Sequence, residues 1–81
     1  MSRDPLETAL DRRLIKWRDR DLRREGYHCW HGIAVIRHGL GTKGEVRAAL
    51  LRLVERGRVE RGEFVNGVFY RGGLRDRIDV G

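Results

Sequence analysis

The stretch that decides the fold runs Gly39-Leu40-Gly41-Thr42-Lys43-Gly44-Glu45-Val46-Arg47-Ala48-Ala49-Leu50-Leu51-Arg52-Leu53-Val54-Glu55-Arg56-Gly57-Arg58-Val59. Gly39-Leu40-Gly41 is a tight turn. Thr42 is placed to cap a helix, and Glu45, three residues on, closes a capping box. Val46, Ala49, Leu50, Leu53 and Val54 then recur at helical spacing and mark the buried face. Gly57 supplies the stop. The sequence therefore predicts a helix from 42 to 57 that turns Gly44, Ala48, Leu51 and Glu55 outward, flanked by Lys43 and Arg47 on one side and Arg52 on the other.

Downstream, the period changes. Arg58-Val59-Glu60-Arg61 is expected as a short strand, and Phe64-Val65-Asn66-Gly67-Val68-Phe69-Tyr70 places Asn-Gly between β-formers, a hairpin signal. The turn is either the two-residue Asn66-Gly67 turn or part of a wider loop from Arg61 to Gly67. Gly72-Gly73 is expected to release the chain, with 72–81 as a flexible tail in which Leu74, Ile78 and Val80 could dock. Upstream, Asp4-Pro5-Leu6-Glu7 is a helix start: Asp caps, Pro occupies the first turn and Glu follows. Leu6, Leu10, Leu14, Trp17 and Leu22 continue at helical spacing to Gly26, which predicts a helix over 5–25. Between the two helices, Trp30, Ile33, Ala34, Val35 and Ile36 suit a short helix or a strand, their β-branching favouring the strand. The turn that follows favours the short helix.

The order helix, short helix, turn, helix, two-stranded hairpin resembles a winged helix-turn-helix domain over about Trp30 to Arg71. The carrying residues are Gly39-Leu40, the run from Val46 to Val59, and Gly67 to Tyr70. The resemblance implies an α+β fold with a recognition helix over 42–57 and a hairpin wing. It implies duplex DNA as the partner, in a transcriptional or replication regulator. Thr42, Lys43 and Arg47 would face the major groove, where arginine can pair bidentately with guanine. Arg52 flanks that helix, and Arg58, Arg61 and Arg71 on the wing would touch the phosphate backbone. Such modules commonly dimerise, and the first helix is the expected contact.

The outward Ala48 and Leu51, with Glu45 and Glu55 beside them, suit a protein surface as well. The alternative is therefore a winged-helix interaction module or small inhibitor, of phage or mobile-element type, acting on a nucleic-acid-handling complex.

Composition bounds both readings. The chain has 81 residues, 18 Lys+Arg, 12 Asp+Glu and a formal net charge of +6. That is one domain at most, 1–81, too small for a barrel or a doubly wound sheet. Nearly all the positive charge is arginine, and the bias is cleanest in residues 27–57, with 5 cations against 2 carboxylates. In the first helix, Arg12, Arg13, Lys16, Arg18, Arg20, Arg23 and Arg24 interleave with Asp11, Asp19, Asp21 and Glu25. That pattern is expected to form pairs along the helix itself.

No apolar run approaches a membrane span and Met1–Leu10 has no signal core, so no membrane association and a cytoplasmic location are expected. Cys29 is the only cysteine. His28, Cys29, His31 and His38 lack the paired spacing of a zinc site, and Cys29 beside His28 or His31 has no acidic orienter. Gly39 to Gly44 does not have P-loop spacing. No cofactor, no metal and no enzymatic activity are expected.

Overall fold

The computed structural model describes residues 4–73. Elements follow in the order α1 (Pro5–Glu25), β1 (His31–Gly32), α2 (Ile33–Ile36), α3 (Lys43–Glu55), β2 (Val59–Phe64) and β3 (Gly67–Gly72). The class is α+β: three helices and a three-stranded antiparallel sheet in the order β1-β3-β2.

The long helices begin and end where their residues require. Asp4 accepts a hydrogen bond from the Leu6 amide, Pro5 starts α1, and Gly26 ends it in the left-handed region at φ 84°. Both halves of the capping box at α3 are formed: Thr42 accepts from the Glu45 amide while the Glu45 carboxylate accepts from the Thr42 amide. The segment read as short helix or strand is both in turn. His31 and Gly32 pair with Tyr70 and Phe69, and one turn of helix follows over Ile33–Ile36.

The hairpin closes one residue earlier than an Asn66-Gly67 turn would. Phe64 faces Gly67, so the two turn residues are Val65 and Asn66, and neither has a positive φ. A type I′ turn, which needs φ > 0 at both positions, is thereby excluded. Gly67 instead opens β3 at φ 133°.

Gly72 and Gly73 do not release the chain. Gly72 pairs with Val59, the Gly73 amide donates to the Arg58 carbonyl, and the Gly73 carbonyl accepts from buried Arg18. Leu74, Ile78, Val80 and the rest of 74–81 lie outside the described residues.

Leu10 and Leu14 of α1, Ile36 of α2, Val46, Ala49, Leu50 and Leu53 of α3, Val59 and Tyr70 form the core. Each large side chain so buried contributes about 1.5–3 kcal/mol before the cost of ordering the chain. Leu6, Trp17, Ile33, Leu40 and Val54 pack around the edge. The helices cover one face of the sheet through Tyr70. The other face carries Trp30 edge-on to Phe64 and Phe64 tilted against Phe69, with the Arg71 guanidinium 4.2 Å from the centroid of the Trp30 ring. No helix among the described residues is long and apolar enough to cross a membrane.

Candidate nucleic-acid interface

The seven residues singled out for DNA contact divide into two groups. One group is engaged within the fold. Arg52 donates to Glu7 and reaches Asp4, which ties α3 to the start of α1. The Glu7 hydrogen bond raises the Arg52 pKa above its ordinary value, against the opposing effect of burial. Arg58 makes a two-pronged pair with Asp11, both contacts at 3.1 Å. Arg71 pairs with Glu60 across the strands and donates to the His28 carbonyl. Thr42 is occupied by its cap. The three arginines fasten one element to another, as arginine–carboxylate pairs do.

The other group faces outward. Lys43 and Arg47 are exposed on the N-terminal half of α3, and neither has a hydrogen bond or ion pair among the described residues. Arg61 is exposed on β2 and pairs with Glu63 at 2.7 Å. Glu63, with Tyr70 behind it, raises the Arg61 pKa. Arg47 and Arg61 flank a single groove between α3 and the hairpin, floored by Ile33, Leu51, Val68 and Tyr70. Leu51 and Val68 keep 44% and 38% of their surface exposed there. The site is thus an apolar trough with a guanidinium on each bank. Glu45 lies at the N-terminal end of α3, its pKa lowered by the Thr42 amide and hydroxyl, so it stays charged.

Two features of the surface are not legible in the sequence. The first is the role of the α1 carboxylates. Glu7, Asp11 and Asp21 are all less than 10% exposed. Glu7 holds Arg52 and Arg56, Asp11 holds Arg58, and Asp21 meets the Cys29 amide and the His31 ring. These pairs run across the fold, while Arg18 with Asp19 and Arg20 with Asp21 join neighbours in sequence. The expected pairing along the helix gives way to bracing between elements. The arginine partners of Glu7 and Asp11 lie 45 to 49 residues away, beyond any local spacing rule. The second feature is the aromatic trio of Trp30, Phe64 and Phe69 on the outer sheet face. Its members are split between the loop and the hairpin, and only strand register brings them together.

The histidines and the cysteine do not gather. Among the described residues, no three of His, Cys, Asp and Glu are placed to hold a metal ion. His28 is buried, its Nδ1 without a hydrogen-bond partner among the described residues, His31 leans on Asp21 and Trp17, and His38 lies beside α1. Burial pushes the Cys29 thiol above its ordinary pKa, and Asp21 and Glu25 add to the effect. The thiol is therefore kept protonated, the opposite of what activates a nucleophile.

Comparison of the chain with models of protein families, with curated proteins and with solved structures gives no match.

Proposed function

We propose that the protein is a winged helix-turn-helix domain that binds duplex DNA and acts as a transcriptional or replication regulator. In this reading α3 enters the major groove by its N-terminal half. Lys43 and Arg47 contact base edges or phosphates, and Arg61 steadies the hairpin on the backbone. The observation that carries it is the convergence of Arg47 and Arg61 on the two banks of one groove between helix and hairpin. The element order, with β1 completing the sheet beside β3, supports the same reading. The net charge of +6 suits a polyanion. Arg52, Arg58 and Arg71 serve here as braces that set the angle of α3 and the hairpin.

The test is an anisotropy titration of a random-sequence duplex at about 50 and 200 mM salt, since each phosphate contact releases counterions and steepens the salt dependence. Arg47→Ala is expected to weaken binding to a selected site by about 1–3 kcal/mol. Unchanged affinity in Arg47→Ala and Lys43→Ala would sink the placement of α3. Dimers are part of the proposal, because two copies on adjacent half-sites gain affinity that one small domain lacks. Sedimentation of the free and DNA-bound protein measures this.

One observation favours a second reading, in which the same trough takes a protein segment. Its floor of Ile33, Leu51, Val68 and Tyr70 is apolar, and an acidic amphipathic peptide would match its two arginine banks. A defined partner whose binding is abolished in Leu51→Ala but kept in Arg47→Ala would favour this over DNA.

A further inference from the structure

The outer face of α1 holds a feature that the α3 reading does not use. At 100° per residue, Arg12, Arg13, Lys16, Arg20, Arg23 and Arg24 fall within an arc of about 120°, and from Arg12 to the end of the helix every residue in that arc is a cation. The α1 carboxylates lie elsewhere. Glu7, Asp11 and Asp21 are turned into the molecule, and Asp19, at the edge of the arc, is held by Arg18. Five of the six cations are exposed, Arg13 being half-buried. Arg13 donates to the Ile36 and His38 carbonyls, and Arg20 pairs with Asp21. Arg12, Lys16, Arg23 and Arg24 have no partner among the described residues. Trp17 lies along one edge with the Arg13 and Arg20 guanidiniums 5.8 and 5.9 Å from its ring centroid, at the outer range of a cation–π contact.

We infer that this face is a second nucleic-acid surface, a straight cationic rail that lies along the phosphate backbone of a duplex. It rests on the reading of the protein as a duplex-DNA binder, but not on α3 being the element that docks. The rail from Arg12 to Arg24 is about 18 Å long, over which a duplex presents about ten phosphates. Arginine supplies five of its six charges and grips phosphate bidentately. A lipid surface fits less well. An interfacial helix must offer its apolar stripe to the bilayer, and here Leu10 and Leu14 of that stripe are fully buried in the core. A second copy of the chain would set the same row of cations against itself. Lys16 continues the positive surface into the shallow groove beside Val35.

The test compares the full chain with two variants in a titration of a fluorescent random-sequence duplex at several salt concentrations. One variant combines Arg12→Gln, Lys16→Gln, Arg23→Gln and Arg24→Gln, all at exposed positions. The other combines Lys43→Ala and Arg47→Ala. The first is expected to bind at least about tenfold more weakly at 50 mM salt, with a log–log salt slope reduced by about 2–4, near 0.9 for each phosphate no longer neutralised. Replacing the same three arginines by lysine should restore most of the slope, which a fold defect would not allow. A quadruple variant that keeps the wild-type slope overturns the rail and leaves α3 as the docking element. A reduced slope in the quadruple variant alone, with Lys43→Ala/Arg47→Ala unchanged, upholds the rail and removes α3. Binding of the wild type to anionic vesicles but not to duplex overturns the rail as a nucleic-acid surface.

Discussion

At the residue scale, the arginines show how much a side chain's job depends on partners far away in the chain. Arg47 and Arg58 look alike in the sequence. One is exposed at the rim of a groove with no ion-pair partner among the described residues, and the other clasps Asp11 from 47 residues away. Gly72 makes the same point about space. A Cβ built there would sit 2.9 Å from the Leu14 carbonyl oxygen, a backbone atom that cannot swing aside. Gly72→Ala is therefore expected to destabilise the protein by about 1–3 kcal/mol. A thermal melt reads this as a drop of several degrees, and an unchanged melting point would mean α1 and β3 slide apart freely. His28 carries a pH prediction. Burial first, then the charge of Arg71, lowers its pKa below the ordinary 6.5. As pH falls below 6.5 the unfolded chain takes up a proton that the native imidazole resists, so its contribution to stability is complete above that value and shrinks below it. Melting temperature should fall between about pH 7 and 5 and His28→Gln should flatten that stretch. Asp21 acts lower down. Burial alone would raise its pKa, but the Cys29 amide, Arg20 and His31 outweigh it and hold the pKa below 3.8, so its share of stability disappears only in stronger acid.

At the element scale, the ends of the helices were legible and the short pieces were not. Asp4-Pro5, Gly26, Thr42 with Glu45, and Gly57 each carry a local geometric reason that needs no tertiary partner, and α1 and α3 begin and end on them. The segment from Trp30 to Ile36 has no such signals. A two-residue strand exists only because β3 is there to pair with it, and α2 is a single turn held by Ile36 in the core and by Arg13, which donates to the Ile36 carbonyl and to that of His38 in the turn beyond. The capping box gives a direct check: Thr42→Ala should cost about 1 kcal/mol in thermal or urea unfolding. The clamp between α1 and α3 gives another. Glu7 holds two arginines that are themselves about half exposed, so water compensates part of the loss when it is removed. Glu7→Gln is expected to destabilise by about 1–2 kcal/mol. In a double-mutant cycle, Arg52→Gln should add little once Glu7 is gone. Additive losses would show that the pair contributes nothing as a pair.

At the scale of the whole molecule, the fold sorts charge that the sequence mixes. Residues 1–26 alternate 8 cations with 6 carboxylates and look self-neutralising. Folding turns Glu7, Asp11 and Asp21 inward, where they brace α3, the entry to β2 and the loop before β1, and leaves Arg12, Lys16, Arg20, Arg23 and Arg24 of α1 outside, while Arg18 is buried. The helical period separates the two faces of α1, but the arginines that the inward Glu7 and Asp11 hold lie 45 to 49 residues away, so composition and local spacing could not reveal the braces. The arrangement sets two salt effects against each other. Salt weakens the attraction in the braces, but those carboxylates are buried and poorly reached by ions. Salt also relieves repulsion within the exposed row of α1, where like charges three or four residues apart each cost a few tenths of a kcal/mol. The exposed term responds more strongly, so raising sodium chloride from about 10 to 150 mM should raise the melting temperature. The variant with Gln at 12, 16, 23 and 24 should start higher in low salt and respond less. A wild-type melting temperature that falls with salt would show instead that the braces between α1, α3 and β2 dominate the electrostatic balance of the fold.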